Sequence, residues 1–125
     1  MRRIAYVIGS NGPPGRALKY ARIDAKRFGD CLSTECGFEV FTPGDGLSCF
    51  EIMREIKQCL AKCTPADDFL FYFSGHGSLQ LGPLCLLLDD TSEKIFDSSL
   101  RISHIQDDLK YCQAGNKLVI LDCLS

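Results

Sequence analysis

The stretch Phe69-Leu-Phe-Tyr-Phe-Ser-Gly-His-Gly77 decides how the rest of the chain is read. Five apolar or aromatic residues in succession are too few for most helices, and their composition suits a buried strand from Phe69 to Phe73. The run halts at Ser74-Gly-His-Gly77, which is expected to project from the strand's C-terminal end. Open α/β sheets place their chemistry there. Glycines on both sides of His76 allow unusual backbone angles and close approach of another chain.

The segments around this strand repeat one alternation. Arg3 to Gly9 reads as a first strand, followed by the loop Ser10-Asn-Gly-Pro-Pro-Gly15. That loop follows a strand and precedes a helix, yet it lacks both common phosphate-binding patterns, and its two prolines remove amide donors. Nucleotide binding is therefore disfavoured. Leu18, Ala21, Ala25, Phe28 and Leu32 recur at helical spacing and predict a helix from about Ala17 to Leu32, with Asp24 beside the apolar stripe. Phe38 to Thr42 reads as a second strand and Pro43 to Gly46 as a turn. Ser48 and Glu51 form a capping-box pattern for a helix carrying Phe50, Met53, Ile56 and Leu60. Thr64 to Asp68 then leads into the central strand.

Beyond Gly77, Leu84 to Leu88 predicts a further strand ending in Asp89 and Asp90, and a polar loop runs through Asp97 to Ser99. Ser103 is expected to cap a short helix with Ile105, Leu109 and Cys112 on one face and Asp107 and Asp108 on the other. Gly115 and Asn116 turn the chain into Lys117-Leu-Val-Ile-Leu-Asp122, a last buried strand. Apolar strands alternating with helices imply a mostly parallel sheet covered on both faces.

The 125 residues fit one compact domain, and 46% hydrophobic content supports a packed core. A net charge of -2 with interspersed signs argues against a nucleic-acid surface. No apolar run reaches the roughly 18 residues of a membrane span, and the N-terminus lacks a signal-peptide pattern. Eight cysteines are scattered among apolar positions without a C-x-x-C pair, although Cys59 and Cys63 share a helix face. They read as reduced residues of a cytoplasmic protein rather than as a zinc site or a disulfide framework.

In a parallel sheet, neighbouring strand ends form one rim, so His76 and the Asp122-to-Ser125 end are expected to converge. A histidine beside a cysteine is the minimum apparatus for thiol catalysis, and a glycine amide such as that of Gly77 suits an oxyanion. Phe71-Tyr-Phe-Ser-Gly-His-Gly77 followed by Lys117-Leu-Val-Ile-Leu-Asp-Cys123, with Tyr20-Ala-Arg-Ile-Asp-Ala25 upstream, resembles the large catalytic subunit of caspase and metacaspase peptidases. The aspartate at position 122 is more similar to metacaspases and bacterial caspase homologues.

The resemblance implies an α/β fold, a three-layer α/β/α sandwich with a mostly parallel sheet forming a caspase-like half domain. Residues 1–125 would be a single large-subunit domain, truncated or processed after the nucleophile strand. It implies a cysteine endopeptidase with His76 as general base, and with Asp24, Ser74 and Asp122 lining a pocket for a basic side chain. The family's nucleophile stands two residues after the acid. Here that position is Leu124, which cannot act as one, and Cys123 could serve only if the register slipped by one residue. A catalytically inactive caspase-like module working through a protein partner is the alternative. The chemistry requires no cofactor. Calcium as an activator would draw on Asp107 and Asp108, with Asp90 or Asp89 as a third ligand. The implied partners are a polypeptide substrate and a small-subunit segment or partner chain.

Overall fold

The computed structural model describes residues 1–12, 18–44, 47–79, 82–89 and 99–124. Its strands are β1 (Arg3–Gly9), β2 (Phe38–Phe41), β3 (Asp68–Ser78), β4 (Cys85–Leu87), β5 (Ser99–Arg101) and β6 (Asn116–Leu124). Three helices accompany them among the described residues: α1 (Ala21–Glu35), α2 (Cys49–Ala61) and α3 (Ile102–Tyr111). The turn at Pro43 to Gly46 falls only partly within the described residues, as does the loop after β1. Asp90 and Asp97 lie outside them.

Among the described residues, one six-stranded sheet organises the fold. β2, β1, β3 and β6 run parallel in that order, with β3 flanked by β1 and β6. β4 pairs antiparallel with the end of β3 and carries β5 beside it. The expected mostly parallel sheet is thus present, extended by a small antiparallel corner.

Side chains alternate across the sheet and divide its residues between two cores. Ile4, Tyr6 and Ile8 of β1 join Phe69, Phe71 and Phe73 of β3 in a cluster with α2 and α3. Ala5 and Val7 join Leu70 and Tyr72 on the opposite face, where α1 lies. Both faces of β1 and β3 are buried, which explains their unbroken apolar runs. Helix α1 approaches β1 closely because the contacting residues are small. A Cβ on Gly9 would lie 2.5 Å from Ala25 Cβ and 2.8 Å from the Ala21 carbonyl oxygen.

Several local expectations need correction. β3 does not stop at Phe73; it continues through Ser-Gly-His-Gly to Ser78, because β6 and then β4 supply pairing partners along that segment. Helix α1 begins at Ala21 and runs to Glu35, with Ala21, Ala25, Gly29 and Leu32 as its buried stripe. In α2 the inward residues are Ile52, Ile56, Cys59 and Leu60, whereas Phe50 is 74% exposed under the Arg54 guanidinium. The Ser48–Glu51 capping box is present. Ser103 is not the cap, since β5 runs directly into α3 and Arg101 occupies the cap position, where its side chain makes no capping bond.

Candidate active-site rim

β1 leads across one face to β2, and β2 leads across the other face to β3. The two crossovers therefore lie on opposite faces of the sheet, α1 on one and α2 on the other. Gly9 is the register partner of Ser74, and the Ser10 amide donates to the Ser74 carbonyl at 3.0 Å. The two chains touch so closely that a Cβ on Gly75 would lie 2.6 Å from the Ser10 carbonyl oxygen. Glycine at position 75 is a steric requirement of this contact.

A polar network pins the β1 end. Buried Ser10 donates through Oγ to Asp89 Oδ1 at 2.7 Å and accepts from the Gly12 amide at 3.2 Å. The other Asp89 oxygen pairs with the Arg22 guanidinium, so the first turn of α1 is tied to the end of β4. A cleft of about 730 Å³ opens beside this network, lined by Ser10, Arg22, Lys26, Thr42 and Asp89 among others, without reaching His76.

The pairing of β3 with β6 assembles the other residues of interest. Its register runs without a bulge from Asp68–Asn116 to His76–Leu124, placing Ser74 opposite Asp122 and Gly75 opposite Cys123. Tyr72 and Ser74 alternate to the α1 face, and Tyr72 stacks on Phe28 with ring centroids 4.3 Å apart. Ser74 and its register partner Asp122 follow two residues further along the same face. Burial raises the Tyr72 pKa, and the negative charges of Asp122 and Asp24 push it further the same way. The carboxylates of Asp24 and Asp122, both exposed to solvent, thus act on one phenol that shares its face with Ser74. Tyr72 itself was missed by the sequence reading. Its position two residues before Ser74 on a strand was the available signal, since that spacing shares a face.

Cys123 lies on the other side of the sheet. It packs against the core shared by α2 and α3, and a Cβ on Gly77 would lie 3.6 Å from its Sγ. Burial raises its thiol pKa, with the neighbouring Asp122 charge adding to the effect. The one-residue slip needed to bring Cys123 round to His76 does not occur, because the ladder is continuous and a slip would turn over every side chain of β6. Leu124 is the register partner of His76. Gly77 belongs to the ladder with β4, opposite Leu86, rather than to a free turn.

The acidic pair of α3 is engaged elsewhere. Asp108 faces Lys57 of α2 at 3.9 Å, and Asp107 faces Lys110 at 3.7 Å. Among the described residues no group of three or more His, Cys, Asp or Glu side chains is placed to hold a metal ion. Asp90, a third acid of the calcium expectation, lies outside the described residues.

A parallel sheet with this crossover pattern, ending in a histidine strand beside an Asp-Cys strand, defines a caspase-type α/β domain. The caspase domain family model matches residues 2–125, and the chain belongs to that family of cysteine-type peptidases. The crystal structure of protein GSU0716 from Geobacter sulfurreducens is similar, with a TM-score of 0.68 and 19% identity. The match covers 97% of this chain and 49% of that one, so this chain spans about half the length of the similar structure. At that identity the likeness speaks for the fold alone. No curated protein matches the chain.

Proposed function

We infer that this chain is the peptide-recognising half of a metacaspase-like cysteine peptidase, selecting a basic side chain and holding it without cutting. The observation that carries this reading is the β3–β6 register, which sets Ser74 beside Asp122 and His76 beside Leu124. Asp24 and Asp122 supply two carboxylates around Tyr72, a charge pattern that favours arginine or lysine over aspartate. His76 is the general base of the family's dyad, and Gly77 its oxyanion amide. A leucine has no proton for that base to accept and no lone pair to attack a carbonyl.

A second reading is a complete endopeptidase cleaving after basic residues, in which a further segment or chain supplies the nucleophile and the rest of the groove. The half-exposed β6 favours such an addition, since among the described residues it pairs with β3 alone and Leu118 is 53% exposed. The partners in both readings are a polypeptide and a small-subunit segment or partner chain, with neither nucleic acid nor membrane involved. The compartment is the cytoplasm, where the thiols stay reduced. Among the described residues no helix is long and apolar enough to cross a membrane. Calcium enters only as an activator.

The test uses the purified chain with fluorescent peptides carrying arginine, lysine or aspartate, in calcium and in chelator. Arginine and lysine peptides should bind, aspartate peptides should not, and none should be cut. Asp122→Asn should weaken binding about tenfold, the scale of one charge-assisted hydrogen bond. Turnover by the chain combined with its small-subunit segment or partner chain, vanishing on His76→Ala, would establish the endopeptidase reading instead. Equal binding of aspartate and arginine peptides would remove the basic selectivity.

A further inference from the structure

Three cysteines cluster far from the rim, at the other end of the β3–β6 pair. Cys59 lies in the last turn of α2, Cys63 two residues beyond that helix, and Cys112 directly after α3. All three are buried in the same core, and all are free thiols. The Cys63 thiol donates to the Cys59 carbonyl at 3.6 Å, and the Cys112 thiol donates to the Leu60 carbonyl at 3.6 Å. Two sulfurs from different elements thus rest on adjacent carbonyls of one helix end, near enough for charge on one to act on the other.

We propose that Cys63 and Cys112 form a redox-responsive pair, which hydrogen peroxide converts to a disulfide stapling the end of α2 to the end of α3. The position gives the staple its consequence. Residues 64–67 lead from Cys63 into β3, and residues 113–115 lead from Cys112 into β6. These two entries already touch, since the Gly115 amide donates to the Asp67 carbonyl at 2.9 Å. A covalent link here fastens the starts of the two strands whose far ends carry His76 and Asp122.

The chemistry balances with peroxide as the oxidant. One thiol's sulfur attacks a peroxide oxygen; the O–O bond breaks, water leaves and a sulfenic acid forms. The second sulfur attacks the sulfenic sulfur; the S–S bond forms, the S–O bond breaks and a second water leaves. Two thiols lose two electrons and two hydrogens, and the peroxide is reduced to two waters. Burial, reinforced by Cys112 beside it, pushes the Cys63 thiol up to about 12, which keeps the reactive thiolate scarce. The pair therefore oxidises more slowly than the exposed Cys31.

The test treats the folded, fully reduced chain with graded hydrogen peroxide, then alkylates free thiols and maps tryptic peptides. The expected result is early modification of Cys31, followed by a peptide linking Cys63 to Cys112. The linked protein should melt several degrees higher than the reduced one, with slower amide exchange in β6, both reversed by dithiothreitol. Cys63→Ala and Cys112→Ala should each abolish the link and the shift, whereas Cys59→Ala should keep both. The proposal is overturned if Cys63 and Cys112 of the unmodified chain are recovered alkylated and unlinked after Cys31 is consumed. A link through Cys59 instead, or a linked form that melts no higher, overturns it equally.

Discussion

Asp67 shows how much one buried side chain can organise. Its carboxylate accepts from the Thr64 amide at 2.8 Å, the Arg2 amide at 2.8 Å and the Arg2 guanidinium at 3.3 Å. Its own carbonyl receives Gly115, so the entries of β1, β3 and β6 meet at this residue. The Thr64 amide, then the Arg2 amide, holds the Asp67 pKa down to about 2, against an ordinary value of 3.8. A depressed carboxyl contributes stability that is present above its unfolded pKa and lost as pH falls through the folded one. The urea midpoint of the native chain should therefore fall between about pH 4 and pH 2. Asp67→Asn should start lower at pH 7 and show a flatter profile across that window.

Gly75 makes the opposite kind of contribution, through what it lacks. Gly75→Ala would press a methyl group to 2.6 Å from a backbone oxygen that cannot rotate away. A loss of about 2–3 kcal/mol in urea unfolding is expected, the upper part of the range for overpacking. Neither effect was legible beforehand. Asp67 reads as one acid in a turn, and its partners lie at distant positions in the chain. Gly75 reads as a loop glycine, whereas it is a strand residue facing another backbone.

At the scale of elements, legibility followed how local the determining interactions were. β1 matches its predicted limits of Arg3 to Gly9, because an apolar run ends at a glycine that α1 itself requires. The start of α2 was equally readable. Ser48 Oγ accepts from the Glu51 amide at 3.2 Å, and Glu51 Oε1 accepts from the Ser48 amide at 3.2 Å. Ser48→Ala should cost about 1 kcal/mol of unfolding free energy, measurable as a lower urea midpoint with unchanged slope. The inward stripe of α2 was misread at Phe50, since that residue stands two before the buried Ile52, about 200° round the helix from the stripe. The length of β3 was misread because small polar residues carry no strand signal of their own; their ladder partners come from β4 and β6.

For the whole molecule, the layer order, the family and the place of Leu124 rather than Cys123 opposite His76 were within reach of sequence, and the part of Tyr72 was not. Faces depend on counting from a pairing register, and a register is a property of two strands together. That count separates Cys123 from His76 and puts Ser74 and Asp122 on the face of Tyr72, which the sequence reading passed over. The antiparallel corner escaped notice for the same reason, since three-residue strands take their direction from the sheet they join.

The parallel core also sets the order in which the molecule can assemble. β1 cannot close its ladder with β3 until the intervening α1, β2 and α2 have been made, and β6 must wait for α3. Every long pairing joins segments remote in the chain, a topology that folds slowly for its size. During synthesis the apolar faces of β1 and β3 are consequently exposed while their partners are still being added. In that interval the nascent chain is more vulnerable to aggregation than the finished domain.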